Sequence, residues 1–335
     1  MIYSTILGGA EQVYVDYAHN LRKQGYKMIN ISTFSAQVNQ LLSPDYKIPN
    51  NPISVHVLGR LFVFLLTLYY RPQLIICHDN RAQHMCILSR WLLKIPVLAM
   101  AHHHDCKVKR GDYVGAVSED IKDSLIKNGV AKEKIFLVSN MTKITRSYNP
   151  QTLFGKKNIL LGGLGRLVIE KGFHYLVDTV SILRNQGYDA QLLLAGTGPE
   201  LDNLTAQVKS LGLEDAVKFM GWVYNKEEFF DQIDIFCLPS DREPFGLVIL
   251  EAMNYSKPVI AVSKGGPKDI IQNKVNGLLV SQSGESFAQA VKELISTENL
   301  AQDLTYNANQ TLETKYSPSV IGRNLSNIIN IIAKK

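Results

Sequence analysis

Two glutamates eight positions apart are the residues whose type and spacing point most clearly to chemistry. Glu243 precedes Pro244, and Glu251 follows an apolar run in the stretch PSDREPFGLVILEAM. A carboxylate accepts two hydroxyl hydrogen bonds, as proteins do when they hold ribose and hexose diols. Because proline favours the first helical position, we expect Glu243 on a loop at a helix N-terminus, with Glu251 about two turns further on. The alternative is that Glu243 complements a helix dipole and Glu251 is an ordinary surface charge.

Two cations lie in a second motif, GGLGRLVIEKG, which spans residues 162–172. Arg166 and Lys171 are five positions apart, between a predicted strand and a predicted helix. Both could reach a diphosphate, whose charge the loop and helix-end amides would also stabilise. A dinucleotide-binding fingerprint would need a third glycine that this segment lacks. The alternative, plausible for either cation taken singly, is a solvated surface residue.

Histidines follow two predicted strands of the first half. The run of His102, His103 and His104 begins where a strand ends near Ala101. Adjacent residues of an extended segment point to opposite faces, so the three do not converge on one metal ion, and no Cys/His cluster supplies further ligands. We expect one histidine to face a ligand at the strand end, with His78 as a second candidate. The alternative is a structural histidine.

Glycine-containing turns follow other strand signals. Gly8 and Gly9 link a short N-terminal strand to a helix and would let a phosphate approach the backbone, or simply form a tight turn. In the second half, Gly196 opens one turn and Gly221-Trp222-Val223 forms another. We expect these two loops to line the binding site of a nucleotide base. The alternative role for the Trp222 side chain is packing within the protein.

Composition sets broad limits on the function. The chain has 335 residues, enough for two domains, with 46% hydrophobic and 20% charged residues. Its net charge of +6 fits an anionic ligand such as a nucleotide, or an anionic membrane surface, and does not indicate a nucleic-acid partner. The four cysteines form no CxxC pair, which favours reduced, mostly buried thiols in a cytoplasmic protein. The N-terminus has no signal-peptide pattern.

Strand-like apolar runs alternate with amphipathic helical segments along the chain, which predicts parallel βαβ units. The predicted strands lie at 27–31, 74–77, 97–100, 135–138, 158–161, 191–195, 233–238 and 259–262. The predicted helices lie at 11–24, 81–93, 119–127, 171–186, 200–211, 245–255 and 317–333. The apolar part of Ile53–Tyr70 is too short to span a bilayer, so we expect a buried or interface-lying helix there.

A polar segment at 146–157, with Pro150 and Gly155, predicts the boundary between two α/β domains. We expect one α/β domain at 1–150 and a second at 156–316, followed by an amphipathic helix at about 317–335.

Taken together, these motifs resemble the retaining glycosyltransferase family 4, which has the GT-B fold. The resemblance covers nearly the whole chain. Its most specific segments are GRLVIEKG, LLLAGTGPE, PSDREPFGLVILEAM, KPVIAV, and GGPKDII followed by NGLLV. The resemblance implies an α/β architecture of two Rossmann-like domains facing a central cleft. The N-terminal domain at 1–150 would bind the acceptor, the domain at 156–316 would bind the nucleotide-sugar donor, and the C-terminal helix at about 317–335 would cross back to the first domain.

The resemblance also implies roles for individual residues. Arg166 and Lys171 would bind the donor diphosphate, Glu251 the nucleotide ribose, and Glu243 the transferred sugar. The amides of Phe245, Gly246, Leu247 and Val248 would lie nearby. Gly8 and Gly9 would approach the phosphate or the acceptor. His102 would touch a donor sugar hydroxyl, with His103 as the alternative in the same run.

The predicted reaction moves a hexose or N-acetylhexosamine from a nucleotide diphosphate sugar to an acceptor hydroxyl, with retained anomeric configuration. A UDP-sugar is favoured over GDP-mannose. The expectation is that no metal is needed, because Arg166 and Lys171 would stabilise the leaving diphosphate and no DxD-type carboxylate pair stands out. The alternatives are a sugar phosphorylase or nucleotide-sugar epimerase of the same architecture, or a non-catalytic nucleotide-sugar-binding partner of another transferase.

The acceptor is predicted to be a glycan or a lipid-linked sugar of cell-surface polysaccharide or lipopolysaccharide biosynthesis. Three segments of the first domain support contact with the inner face of a membrane: Arg22-Lys23, residues 107–110 and residues 61–70. Each has a solvated-surface or core alternative. The sequence therefore predicts a cytoplasmic enzyme that can associate peripherally with an anionic membrane.

Overall fold

The structure, a computed structural model, describes residues 9–31, 56–106, 108 and 111–334. The chain forms two compact units. Unit 1 comprises Met1–Met141 and Tyr316–Lys335, and unit 2 comprises Thr142–Lys315. The C-terminal segment therefore belongs to unit 1, although it follows unit 2 along the chain.

Unit 1 contains a parallel sheet with the strand order β1-β2-β3-β4 among its described residues. The strands are β1 (Ile75–Cys77), β2 (Val97–Ala101), β3 (Tyr113–Ala116) and β4 (Ile135–Leu137). The helices before unit 2 are α1 (Gly9–Lys23), α2 (His56–Tyr70), α3 (Asn80–Met85), α4 (Ile87–Leu93) and α5 (Glu119–Lys127). Every residue of β2 is buried, as expected for a central strand of a parallel sheet.

Unit 2 contains a six-stranded parallel sheet. Its strands are β5 (Asn158–Leu164), β6 (Asp189–Ala195), β7 (Val217–Gly221), β8 (Ile235–Leu238), β9 (Val259–Val262) and β10 (Leu278–Val280). Its helices are α6 (Phe173–Asn185), α7 (Leu201–Ser210), α8 (Lys226–Phe230), α9 (Leu247–Asn254), α10 (Pro267–Ile270), α11 (Gly284–Ser296) and α12 (Leu300–Thr311). After a short π-helical turn, α13 (Pro318–Ala333) completes the chain in unit 1.

The strand order of unit 2 is the doubly wound one. Read from one edge it is β7-β6-β5-β8-β9-β10, so the order reverses between the neighbouring strands β5 and β8. This is the 3-2-1-4-5-6 order of a Rossmann sheet, whose ligands bind outside the carboxyl ends of the strands at the reversal. Alternate side chains on one face of the sheet pack with those of α6 and α11 in one buried core, which includes Leu161, Val177, Leu194, Ile260 and Phe287.

Local sequence signals explain several element boundaries. The Ser118 hydroxyl accepts a hydrogen bond from the Ile121 amide over 3.2 Å and caps α5, which begins at the next residue. Acidic residues in the first turn and Lys127 in the last turn complement the helix dipole. The predicted helix at 119–127 and the predicted strand at 259–262 have the observed bounds.

Three predicted elements are wrong in detail. The segment 27–31 forms only an isolated bridge at Asn30. The helix predicted at 81–93 is two helices, because the Cys86 backbone (φ −83°, ψ −3°) interrupts the first where its thiol packs 3.6 Å from the Cys77 sulfur. Pro244 is not the first helical residue. The helix begins at Leu247, after Gly246 at φ 100°.

Strand β10 is missing from the predicted strands, and so is β3. It has four residues and contains Gly115, which weakens a strand pattern. A side chain at Gly115 would lie only 2.4 Å from the Met100 sulfur on β2, so the glycine allows close packing there. No helix of the described residues is long and apolar enough to cross a membrane.

Candidate active site

Lys171 and Glu243 meet where the strand order of unit 2 reverses. Lys171 ends a 3₁₀ turn (Ile169–Lys171) in the loop after β5, and Glu243 lies in the loop after β8. Lys171 Nζ donates to Glu243 Oε2 over 2.6 Å, and the two side chains are only 20% and 11% exposed. Two residues 72 positions apart, predicted to bind phosphate and sugar, therefore form one largely buried ion pair at the reversal point.

The N-terminus of α9 lies beside Glu243. Gly246 precedes the helix, and a side chain there would be 3.5 Å from Glu243 Cγ. No side-chain hydrogen bond caps this end, so the amides of Leu247 and Val248 have no side-chain acceptor among the described residues. Backbone amides at a helix start favour an anion. The site thus joins a cation, a carboxylate and an uncapped helix start.

Phe245 anchors the loop that carries Glu243. Its side chain is buried, and the following GGP loop packs against its backbone, where a side chain at Gly266 would lie 2.3 Å from Phe245 Cα. The Gly266 amide also donates to the Glu243 carbonyl over 2.8 Å. These contacts hold the Glu243 loop against the loop after β9.

Glu251 lies in the second turn of α9 and has one engaged and one free carboxylate oxygen. Lys226 Nζ, at the start of α8, donates to Glu251 Oε1 over 2.5 Å. Glu251 Oε2 is buried and has no hydrogen-bond partner among the described residues. A buried acceptor without a donor is costly, so this oxygen suits a hydroxyl group supplied by a ligand.

Arg166 follows β5 and is exposed. No ion pair joins its guanidinium to a carboxylate of the described residues, whereas Lys171 in the same loop is paired. Arg166 therefore offers an available cation in the loop that also carries Lys171. A guanidinium can bind phosphate oxygens in a bidentate manner.

The loop after β6 braces the Arg166 loop. The Gly165 amide donates to the Ala195 carbonyl over 3.0 Å, and the Leu167 amide donates to the Thr197 carbonyl over 2.9 Å. Gly196 adopts φ 137°, and a side chain there would lie 1.8 Å from the Gly165 oxygen. Only glycine fits at position 196, because the two backbones approach so closely there. Gly196 therefore shapes the site through the backbone.

Trp222 follows β7 and is half exposed, with its ring 6.4 Å from the ring of Tyr224. The Gly196 amide donates to the Gly221 carbonyl over 2.7 Å, which joins the Trp222–Val223 loop to the loop after β6. The exposed indole is available for stacking. Its role at a nucleotide base stays a prediction.

Sequence reasoning missed two residues of this region. Lys226 lies 25 positions before Glu251, and only the fold brings them together. Ser240 lies two residues after the end of β8, and its buried hydroxyl has no hydrogen-bond partner among the described residues. A serine in a PSD sequence carries no pattern of its own, so no signal pointed to it.

In unit 1, the two candidate histidines contact each other. His78 follows β1 and His102 follows β2, and these neighbouring strands place His78 Nδ1 3.1 Å from His102 Nε2. Their rings stack with a centroid distance of 5.2 Å. One imidazole must donate and the other accept.

Burial lowers the pKa of His78 well below its usual range, with a further contribution from His102. Shielding from solvent, together with His103, lowers the pKa of His102 to about 4.

The other first-half candidates do not take part in this ring contact. His103 is exposed, and His104 Nε2 contacts Asp120 Oδ2 over 2.6 Å. Gly9 is the first residue of α1 and is exposed, whereas Gly8 lies outside the described residues. Of the cationic segment 107–110, only residue 108 is described.

No cluster of three or more metal-binding side chains occurs among the described residues. The two aspartates of DQIDIF are engaged elsewhere. Asp234 binds Lys156 Nζ over 2.5 Å and the Leu160 amide over 2.9 Å, and Asp231 binds Arg146 over 3.2 Å.

Solved structures share this architecture. The structure of Anabaena HepE in complex with UDP and glucose has a TM-score of 0.81 with 22% identity, and covers 98% of each chain. A glycosyltransferase from Rickettsia africae has a TM-score of 0.83 with 20% identity, and covers 100% of this chain and 98% of that one. Two parallel α/β units of this kind define the GT-B fold.

The family follows from the sequence itself. The sequence model described as Glycosyl transferases group 1 matches residues 145–311, and the one described as Glycosyltransferase Family 4 matches residues 7–146. Between them they cover both units. The chain belongs to glycosyltransferase family 4.

Curated relatives match parts of the chain. The lipopolysaccharide core biosynthesis glycosyltransferase LpsE of Rhizobium meliloti is 33% identical over 47% of this chain and 46% of the relative. The capsular polysaccharide biosynthesis glycosyltransferase CapM of Staphylococcus aureus is 27% identical over 66% of this chain and 62% of the relative. The chain thus spans less than two thirds of the length of these relatives.

Proposed function

We propose that this chain is a retaining glycosyltransferase that moves a hexose or N-acetylhexosamine from a UDP-sugar to a hydroxyl group of a glycan or lipid-linked acceptor. The proposal includes a role in cell-surface polysaccharide or lipopolysaccharide biosynthesis. The observation that carries it is the buried Lys171–Glu243 pair at 2.6 Å beside the uncapped start of α9. This pair lies at the strand-order reversal of a family 4 glycosyltransferase.

Each side chain has a separate role in the proposed donor complex. Lys171 and Arg166, with the amides of Leu247 and Val248, bind the diphosphate and stabilise the charge that develops as it departs. Glu251 accepts a ribose hydroxyl at its free Oε2, while Lys226 holds Oε1. Glu243 accepts a hydroxyl of the transferred sugar through Oε1, because Lys171 occupies Oε2.

The proposed chemistry uses no enzymic nucleophile. The bond between the anomeric carbon and the phosphate oxygen breaks, and the acceptor oxygen bonds to that carbon on the same face. The acceptor proton passes to the departing phosphate oxygen. The role of the chain is then to position the reactants and stabilise the leaving group. No metal is needed in this proposal, because cations and helix amides offset the diphosphate charge.

The donor and acceptor are assigned from relatives. HepE was solved with UDP and glucose, which supports a UDP-hexose donor. LpsE and CapM are named for lipopolysaccharide core and capsular polysaccharide biosynthesis, which supports an acceptor of that class. His102 is proposed to donate or accept a hydrogen bond at a donor sugar hydroxyl, with its ring held by His78.

A panel of nucleotide sugars tests the proposal. UDP-glucose, UDP-galactose, their N-acetyl forms and GDP-mannose are each incubated with the full chain and extracts of surface glycolipid. We expect UDP release with one of the UDP-sugars and an axial anomeric linkage in the product by NMR. Release of sugar 1-phosphate, epimerised donor without a glycoside, or an inverted linkage would contradict the proposal.

A further inference from the structure

Glu243 places a negative charge beside the proposed binding site of a diphosphate. Its side chain is 11% exposed, and its Oε2 accepts a hydrogen bond from Lys171 Nζ over 2.6 Å. The Gly266 amide donates to the Glu243 carbonyl over 2.8 Å, which fixes the loop at this residue. A carboxylate that is shielded from water repels a nearby phosphate more strongly than an exposed one does. Glu243 therefore weakens the attraction of the site for a free diphosphate.

The two loops that form the site carry no net charge. They are residues 165–172, between β5 and α6, and residues 239–246, between β8 and α9. Their charged side chains are Arg166, Glu170, Lys171, Asp241, Arg242 and Glu243. Three cations and three carboxylates cancel, so the positive end of α9 supplies the remaining attraction for an anion. Without the charge of Glu243 the same loops would carry one net positive charge.

Most of these charges are exposed to water, unlike the Lys171–Glu243 pair. Arg166, Glu170 and Arg242 are exposed, and Asp241 is paired with Lys264 at the surface. Water and salt screen exposed charges, so each contributes little to the field within the site. The largely buried pair therefore sets the local electrostatics.

We propose that Glu243 competes with the diphosphate for Lys171, and that this competition makes the site bind an intact UDP-sugar more tightly than UDP. The inference rests on the proposed function and adds that the pair promotes release of the spent nucleotide. An ammonium group has three N–H donors, so Lys171 can bind the carboxylate and a phosphate together. Each of these anions weakens the attraction of the lysine for the other.

The intact donor and the product differ in charge and in hydrogen bonding. A terminal phosphate loses its second proton near about pH 6, so UDP carries roughly one more negative charge than a UDP-sugar at about pH 7.5. Glu243 repels this additional charge. The intact donor instead brings a sugar hydroxyl that donates to Glu243 Oε1 and offsets the repulsion. UDP has no such hydroxyl, so the site binds it more weakly.

Glu251 does not discriminate between these two ligands. Its Oε2 is assigned to a ribose hydroxyl, which the donor and the product share. Its Oε1 is paired with Lys226 over 2.5 Å, and that lysine is 45% exposed. A change at Glu251 should weaken both ligands together, whereas a change at Glu243 should alter the ratio of their affinities.

Calorimetric titration at about pH 7.5 and low salt measures the competition. UDP, UDP-glucose, UDP-galactose and the two N-acetyl forms are titrated into wild type, Glu243→Gln, Lys171→Met and the double variant Lys171→Met/Glu243→Gln. Glutamine keeps the shape of the glutamate and removes its charge. The matched control is Glu293→Gln, which removes a charge from the surface pair with Lys274. Thermal unfolding checks that each variant is folded.

We expect Glu243→Gln to bind UDP about tenfold more tightly than wild type, because the competing charge is gone. Its affinity for the UDP-sugar that wild type binds most tightly should not rise, since the charged hydrogen bond to the sugar is lost. In the Lys171→Met background the gain for UDP should fall to about threefold or less, because the competition requires the lysine. Glu293→Gln should keep the wild-type ratio of the two affinities.

Equal or weaker UDP binding by Glu243→Gln than by wild type would overturn the inference and leave the proposed function standing. The same gain with and without Lys171 would also overturn it, because the lysine would then have no part in the effect. If wild type and all variants bind neither UDP nor any of the UDP-sugars, the proposed function is contradicted, and this inference with it.

Discussion

At the scale of residues, Glu243 and Glu251 each form one ion pair with a lysine but differ in whether the second carboxylate oxygen is buried without a partner. Glu243 is paired through one oxygen with Lys171, and Glu251 through one oxygen with Lys226. Only Glu251 retains a buried oxygen without a partner among the described residues. The lysine pairs hold both carboxylates in place, and each keeps one oxygen for a ligand hydroxyl.

Replacing Glu251 with glutamine should weaken UDP binding through the ribose. A hydrogen bond to a charged group contributes about 1.5 to 3 kcal/mol, which corresponds to roughly a 10- to 150-fold change in Kd. Calorimetric titration with UDP and with 2′,3′-dideoxy-UDP should show that wild type prefers UDP and that the variant does not. Glu293→Gln, at a surface glutamate paired with Lys274, is the control and should keep the preference. Unchanged discrimination in Glu251→Gln would contradict the ribose assignment.

The histidine pair predicts a pH dependence of stability. His102 has a pKa of about 4 in the fold, against about 6.5 when unfolded. Between these values the unfolded chain binds the proton and the folded chain does not. The stability that His102 contributes is therefore present above about pH 6.5 and is lost as the pH falls toward 4, by about 1 kcal/mol at pH 5.5.

Urea unfolding of unit 1 at several pH values measures this effect. His102→Gln should show a shallower loss of stability below pH 6.5. His174→Gln, at a partly exposed histidine of α6 in unit 2, should keep the wild-type slope. Equal slopes in the two variants would show that His102 is not held neutral by the fold.

At the scale of elements, the site depends on loops that approach one another through glycines. Gly196→Ala should lower the unfolding midpoint strongly and abolish UDP binding, because the new methyl group would overlap the Gly165 oxygen. The control Gly187→Ala measures backbone strain without steric overlap. Gly187 also has a positive φ, 85°, but no atom lies within 4 Å of the new methyl group. The substitution should therefore lower the free energy of unfolding by only about 1 to 2 kcal/mol. Equal effects of the two substitutions would contradict the role assigned to Gly196.

Elements with strong local signals could be predicted from the sequence. Helix α5 has a serine cap and complementary end charges, and β9 is a bounded apolar run in which three of four residues are β-branched, so both have their predicted bounds. Strand β3 was missed because its glycine is set by packing on Met100. The start of α9 was misplaced because the positive φ of Gly246, and not Pro244, sets it.

The candidate site was predictable as a set of residues but not as a set of pairs. Arg166, Lys171, Glu243 and Glu251 stand in recognisable motifs. Their partners depend on strand order: Lys171 and Glu243 are 72 positions apart, and His78 and His102 meet only because β1 and β2 are neighbours. Lys226 and Ser240 carry no motif, so only the three-dimensional fold points to them.

At the scale of the whole molecule, helix α13 belongs to unit 1, although unit 2 separates it from the rest of that unit along the sequence. Helix α13 packs against α1. A side chain at Gly322 would lie 1.8 Å from Asn20 Oδ1, and the Asn20 side-chain Nδ2 donates to the Pro318 carbonyl. The stability of unit 1 therefore depends on residues at both ends of the sequence.

Gly322→Ala should destabilise unit 1 by about 1 to 3 kcal/mol through overpacking. Its UDP affinity should match wild type, because the residues proposed to bind the UDP part of the donor belong to unit 2. Asn330→Ala, at an exposed position of the same helix, should change neither property. The check is thermal unfolding followed by two probes, together with titration by UDP. A loss of UDP affinity in Gly322→Ala would mean that the donor site requires unit 1.

The central claim is that Lys171 binds the diphosphate of a nucleotide-sugar donor. Calorimetric titration of UDP into wild type, Lys171→Met and Lys274→Met tests it most directly, since Lys274 is also paired with a glutamate but lies on the surface. We predict that wild type and Lys274→Met bind UDP equally and that Lys171→Met binds at least about tenfold more weakly. Equal UDP affinity in all three proteins, or no UDP binding by wild type, would contradict the account.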